Sequence, residues 1–295
     1  MKRIHITLSQ IQAFATVTEV GSFTLASEQL DMTQSAVSHA VAALEKELQV
    51  SLIERDRNGI FLTDIGQRVL LHAQAMLTSA EHIRQETSAA LGLQTGKVRL
   101  GSFPSVSAHF LPGLLRQFRQ RYPGIEIVLF EGTDDEVREW IHTRVVDVGA
   151  VALPAEGLET VPIAQDEFLT VVAANHRLAG QREIHIRELL REPFIMSKAG
   201  CKPLITAMFR KAKIAPKTQF EVIDLRTIFA MVQEGMGVTI VPEMALPSDR
   251  SGLHVMSLSP KQFRHLAFAV PSLEAIAPAV AEFLNEATVW MQGSM

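Results

Sequence analysis

Apolar residues in the first fifty positions fall into three short helical stripes separated by polar turns. Ile11, Phe14, Ala15, Val17 and Thr18 share one face of a first helix. Thr7 and Gln10 stand at capping-box spacing before it, Ile6 and Ile11 fit the flanking hydrophobic staple, and Gly21 stops it. Leu25, Ala26 and Leu30 are expected to hold a second helix down, and Asp31-Met32 makes the turn. Thr33 is placed to cap a third helix, whose stripe is Val37, Val41 and Leu44. Its first turns offer Gln34, Ser35 and Ser38, short neutral hydrogen-bonding side chains on the face that does not pack. This is the pattern of a helix-turn-helix whose last helix enters a DNA groove. Residues 48–63 follow as a short β-hairpin with Asn58-Gly59 at its turn, the wing of a winged helix.

A long helix is predicted next, from Thr63 as N-cap to about Leu93, with Gly92 to Gly96 as its breaker. About thirty residues span roughly 45 Å, longer than a small domain needs. Val69, Ala73, Met76, Ala80, Ile83, Thr87 and Ala90 form a heptad stripe, widened by Leu70, Leu77 and Leu91. The spacing reads as a dimer seam; a core helix of one domain is the alternative. From Lys97 onward the periodicity switches between strand and helix. Strands are expected at 98–101, 125–130, 146–151, 168–172, 194–196, 218–221, 238–241 and 263–270. Helices are expected at 108–122, 134–142, 202–212, 225–234 and 278–290. Such alternation argues for open α/β sheets.

Four pieces of the N-terminal segment together carry a specific resemblance. They are Gly21-Ser22-Phe23-Thr24, the run Thr33-Gln34-Ser35-Ala36-Val37-Ser38, Leu44-Glu45-x-Glu47-Leu48 and Leu62-Thr63-x-x-Gly66. The segment resembles the DNA-binding domain of the bacterial LysR-type transcriptional regulators. Departures are Gln49 where the family usually has Gly, Ile53 where it has Phe, Asn58 beside Arg57 at the second wing arginine, and His39 where a basic residue is common. The resemblance implies a winged helix-turn-helix over 1–62, a linker and dimerisation helix over 63–93 and an effector-binding domain over 97–295. That last domain is expected to be two-lobed, like type II periplasmic binding proteins. Lobe I would hold about 97–164 and 269–295, and lobe II about 165–268, with crossovers near 163–167 and 265–270. A homodimer through the linker, paired further into a tetramer, and a promoter site with dyad symmetry are implied as well.

Charge changes how DNA binding must work. Residues 1–65 carry five basic and eight acidic side chains, a net of −3 without histidine. One copy would gain little from counterion release, so several copies must act together and polar contacts must carry more of the affinity. The DNA-contacting set is accordingly Ser22, Thr33, Gln34, Ser35, Ser38, His39, Arg55 and Arg57. The single cysteine, Cys201, excludes an intramolecular disulfide, and the N-terminus has neither a signal core nor a membrane-length apolar run. A cytoplasmic protein is expected, with double-stranded DNA, a small-molecule effector and further copies of itself as partners.

Ligands of open α/β sheets bind outside the carboxyl ends of strands, at helix N-termini. That rule selects Ser102-Phe103-Pro104-Ser105, Thr133, and the loop Lys198 to Lys202 with Cys201. Ser102, Phe103, Ser105, Thr133, Lys198, Cys201 and Lys202 are the expected effector contacts, and the two lysines point to a small anion. Cys201 at a helix N-terminus would favour a thiolate, which admits a redox role beside that of a cleft-lining or buried thiol. No metal-spaced histidine cluster, phosphate loop or catalytic frame is present, so no metal, cofactor or enzymatic activity is expected. A solute-binding protein without a transcriptional role is the alternative.

Overall fold

A computed structural model of the chain describes residues 5–56, 59–90, 95–198 and 200–294. Arg57 and Asn58 lie outside the described residues, as do Leu91, Gly92 and the side chain of Arg55. The N-terminal unit runs α1 (Leu8–Val20), α2 (Phe23–Gln29), α3 (Gln34–Leu48), β1 (Ile53–Asp56), β2 (Gly59–Leu62) and α4 (Asp64–Ala90). The first and third helices carry the caps expected of them, and the second has one at Ser22 that was not expected. The Thr7 hydroxyl accepts from Gln10 N at 3.3 Å while Thr7 N donates to Gln10 Oε1 at 2.8 Å. Ser22 accepts from Leu25 N and Thr33 from Ala36 N. Phe14, Val17, Ala26, Val37, Val41, Leu44 and Leu52 close the core.

One packing expectation fails. Leu25 is 52% exposed, and Phe23 is buried in its stead. Phe23, Ala26, Ser27 and Leu30 fall at i, i+3, i+4 and i+7, which leaves Leu25 off the stripe. Gln49 takes the left-handed conformation (φ 57°) that closes α3, where glycine would be free of the roughly 1–2 kcal/mol penalty of a Cβ.

The wing is tied to α3 by one carboxylate. Glu45 Oε1 accepts from Leu52 N at 2.7 Å and from Ile53 N at 3.1 Å. Thr63 then caps α4, accepting from Gly66 N at 2.9 Å and donating to Ser51 O at 2.8 Å. Gly66 presses on that same backbone, since a Cβ there would lie 2.1 Å from Leu52 O. Gly66→Ala is therefore expected to cost about 1–3 kcal/mol, because a backbone carbonyl held by Thr63 N cannot retreat as a side chain can. Urea denaturation measures it, and a midpoint equal to wild type would show that the contact yields.

The linker stripe divides. Ala73 is buried and Val69, Leu70 and Leu77 pack on the N-terminal core, whereas Met76 and Ile83 are 43% and 68% exposed. Val69, Leu70, Ala73 and Leu77 thus serve their own domain, while Met76 and Ile83, seven residues apart, share the side of α4 turned to solvent.

The remaining chain folds as β3 (Gly96–Ser102), α5 (Pro104–His109), α6 (Leu111–Arg121), β4 (Ile125–Glu131), α7 (Asp134–His142), β5 (Val148–Ala152), β6 (Glu159–Ala173), β7 (Glu183–His185), β8 (Pro193–Ser197), α8 (Lys202–Lys211), β9 (Lys217–Val222), α9 (Leu225–Gln233), β10 (Thr239–Pro242), β11 (Leu253–Ser259), β12 (Phe263–Val270) and α10 (Pro278–Ser294). Strand order is β4-β3-β5-β12-β6-β11-β7, with β10 also paired to β6 and a separate β8-β9 pair. The first half of β6 pairs with β12, and its second half pairs with β10 and β11. One strand thus joins two cores, one around Phe118, Phe268 and Phe283 and the other around Phe168, Phe194 and Phe209. The expected helix over 108–122 is two helices. Pro104 opens the first, and Pro112 lies just past the junction at Phe110. β7 and β11 were not expected, because their alternation is thin: β11 buries only Met256 and Leu258. Among the described residues no helix is long and apolar enough to cross a membrane.

Candidate functional site

The DNA-facing surface is built by the caps. Thr33 ends the turn and starts α3, which leaves Gln34, Ser35 and His39 exposed with Ser38 half-buried beside them. The Thr33 hydroxyl is committed to Ala36 N and lies 3.1 Å from the Ser35 hydroxyl. Ser22 is likewise committed to its cap at α2. Both caps position the surface, and the side chains left to face outward from it are Gln34, Ser35, Ser38 and His39. The opposite face of α3 is the buried Val37, Val41 and Leu44 stripe.

Between the two lobes lies a cavity of about 440 Å³, walled by Phe103, Leu153, Pro154, Pro203 and Leu204. At its inner end Arg264 of β12 sits opposite Asp166 of β6 in register. Arg264 Nε and Nη2 donate to Asp166 Oδ2 at 2.8 and 2.6 Å, Nη2 also donates to the Ser105 hydroxyl at 2.7 Å, and Nη1 reaches Cys201 Sγ at 3.6 Å. Both side chains of the pair are almost wholly buried. The guanidinium also lies over the Phe103 ring, 5.2 Å from its centroid. A deeper void of about 20 Å³ beyond them has room for one water. On the outer wall, Asp134 accepts from Arg138 Nε at 2.6 Å and from Ala152 N at 2.7 Å.

Of the expected effector contacts, Phe103 and Cys201 line the cavity and Ser105 faces the deeper void. Ser102 is fully buried with its hydroxyl turned to the Phe103 carbonyl at 3.4 Å. Thr133 does not line the cavity; it is the N-cap of α7, locked in a capping box with Glu136. Lys202 and Lys198 lie 2.6 and 3.6 Å from Glu221 and sit outside the cavity. Lys202 above all holds the Glu221 carboxyl below its usual range. The inference of an anionic effector loses its basis, because both lysines have a counter-ion outside the cleft and both cavity arginines are paired within it. Cys201 is also corrected: burial pushes its thiol up, outweighing the Arg264 charge, so the thiolate is not favoured.

Sequence reasoning missed Arg264, Asp166, Asp134 and Arg138. A signal existed for the first. Arg264 is a charge in a strand that is apolar from Leu266 to Val270, the kind of residue that is buried only when paired, and Asp166, between Gln165 and Glu167, is a candidate partner only once the strands are set in register.

Residues 8–67 match the family described as "Bacterial regulatory helix-turn-helix protein, lysR family", and residues 91–291 match "LysR substrate binding domain". The chain belongs to the LysR family of transcriptional regulators. An HTH-type transcriptional regulator of Bacillus subtilis, YvbU, is 39% identical over 285 residues, covering 96% of this chain and 98% of the relative. A peroxide-bound cysteine-to-serine variant of Corynebacterium glutamicum OxyR superposes with a TM-score of 0.64 at 26% identity, over 99% of this chain and 95% of that one. Full-length CbnR, solved with its target DNA, shares the fold with a TM-score of 0.67 at 23% identity, over 96% and 99%. This LysR-type regulator therefore pairs a DNA-binding winged helix with an effector-binding domain.

Proposed function

We propose that this regulator reads DNA with Gln34, Ser35, Ser38 and His39 of α3, aided by the wing, and does so as a homo-oligomer in the cytoplasm. The observation that carries this is the cap-built N-terminus of α3, which presents neutral donors and acceptors on one face while the other face is core. The wing arginines, Arg55 and Arg57, supply phosphate contacts in this reading, and Ser22 and Thr33 fix the register. A dimer forms along the exposed part of α4 and two dimers pair through their effector domains, on a DNA site with dyad symmetry. A small molecule with an apolar body and a few polar groups occupies the interlobe cavity and shifts the arrangement by binding one geometry better than the other. Peroxide, found on the OxyR relative, is not the favoured effector here, since burial holds Cys201 as the thiol.

Fluorescence anisotropy with DNA upstream of the protein's own gene tests the reading. Gln34→Ala or Ser35→Ala is expected to lose about 1–3 kcal/mol of discrimination between that DNA and a scrambled duplex, with fold and oligomer unchanged. An unchanged ratio of specific to scrambled affinity in both variants would overturn the assignment of α3.

A further inference from the structure

The helix α7 runs from the cavity wall to the joint with the linker helix. Asp134, Asp135 and Arg138 of its first turns line the cavity, and His142 at its last residue lines the same cavity. There Arg138 also donates to the carbonyls of Ala152 and Pro154, so the outer wall is clamped to the start of the helix. The helix is nine residues long, about 13 Å along its axis, and ends in a tight turn. Val145 N donates to Trp140 O at 2.9 Å, Arg144 N donates to Ile141 O at 3.2 Å, and Arg144 is left-handed at φ 62°.

That turn is where α4 docks on the effector domain. The Thr78 hydroxyl donates to Arg144 O at 3.2 Å, and His82 Nε2 lies 3.2 Å from Asp147 Oδ1. Asp147 is anchored in turn by Arg99 N, which donates to its Oδ2 at 2.7 Å. One turn further along α4, Gln85 Nε2 donates to Lys97 O at 3.1 Å. Thr78 and Gln85 are almost fully buried, so this is a packed joint and not a surface touch.

The underside of α7 admits little bending. Val137 and Ile141 are completely buried against glycines of the sheet. A Cβ on Gly149 would lie 2.5 Å from Val137 Cγ1 and 2.8 Å from Ile141 Cδ1. A helix seated that closely on strand backbone moves as a rod, since a close-packed contact transmits a shift and does not absorb it.

We propose that α7 is the strut through which the state of the cleft sets the direction of α4, and with it the DNA-binding domain that α4 carries in its core through Ala73. The proposal rests on the cleft being the effector site. A ligand that loosens or tightens the Asp134–Arg138 clamp moves the Arg144–Asp147 turn, and Thr78 and His82 pass that movement to the linker.

Two perturbations of the cleft, each measured with and without the dock, test this in the full-length chain without knowing the ligand. Arg138→Met opens the clamp, Leu204→Trp fills the cavity, and Thr78→Val with His82→Ala undoes the dock. The readout is the dissociation constant for the protein's upstream DNA, with circular dichroism confirming that every variant is folded. Arg138→Met is expected to change that constant at least threefold in the wild-type linker and to change nothing once the dock is undone. If a variant unfolds, Asp134→Asn and Asp147→Asn replace the clamp and dock changes in the same cycle. An unchanged constant for Arg138→Met, or the same factor in both linker backgrounds, overturns the strut. If Leu204→Trp shifts the constant equally in both backgrounds, the cleft still controls DNA binding and the strut alone is wrong. If Arg138→Met is coupled to the dock while Leu204→Trp is silent, the strut holds and the cleft reading fails.

Discussion

Arg264→Met is expected to lower the stability of the effector domain by about 3–5 kcal/mol, because it leaves the Asp166 carboxylate buried with no cation. The pair ties β12 to β6 near the point where β6 passes from one lobe to the other, so the loss falls on the joint between them and not on either core. Met244 N, which donates to Asp166 Oδ1 at 3.1 Å, and the Ser105 hydroxyl cannot replace a guanidinium. Combining Arg264→Met with Asp166→Leu should restore most of the loss, since two apolar groups of similar size need no counter-charge. Urea denaturation of the four proteins gives the coupling directly. A single variant within about 1 kcal/mol of wild type would mean that water reaches the pair, and that the cleft floor is wetter than its burial indicates.

Ile83→Glu is expected to cost DNA affinity about 10²–10⁴-fold while leaving the melting temperature of the folded chain almost unchanged. Ile83 is 68% exposed in the single chain, and a surface change of that kind is worth less than about 0.5 kcal/mol. In a dimer across the exposed side of α4 it would set like charges against each other. Met76 stands seven residues earlier on the same face and is exposed too, so Met76→Glu should behave alike. The size of the effect follows from avidity. A single N-terminal domain of net charge −3 gains little from phosphate, so two readers must be held together for either to stay bound. Analytical ultracentrifugation checks the cause. Weakened DNA binding by a variant that sediments as wild type does would place the dimer seam elsewhere.

The DNA-binding end was legible because its signals are local. A cap hydroxyl reaches an N–H three residues on, and an apolar stripe repeats within two turns of helix, so Thr7 and Thr33 and the Val37 stripe could be placed without knowing the rest of the fold. Phe23 against Leu25 shows the margin: moving the start of a seven-residue helix by one position changes which side chain is inside. The cleft was legible only as a region. The rule that ligands sit beyond strand ends brought in Phe103, Ser105 and Cys201, which line the cleft or the void behind it, and with them Ser102, Thr133, Lys198 and Lys202, which do not.

Separating those two groups required distances that span the chain. Arg264 meets Asp166 across 98 positions and Ser105 across 159, and Lys202 meets Glu221 across 19. The sequence by itself determined the helices, their caps, the long linker and the alternation of strand and helix, because each depends on residues within a few positions of one another. The tertiary structure decided which charges neutralise each other, which hydroxyls are spent on caps, that Cys201 is half-buried beside Arg264, and that α4 divides between the domains it joins and open solvent. Those outcomes follow from strand register and burial, which set the dielectric and the partners of every polar group and which no local pattern encodes.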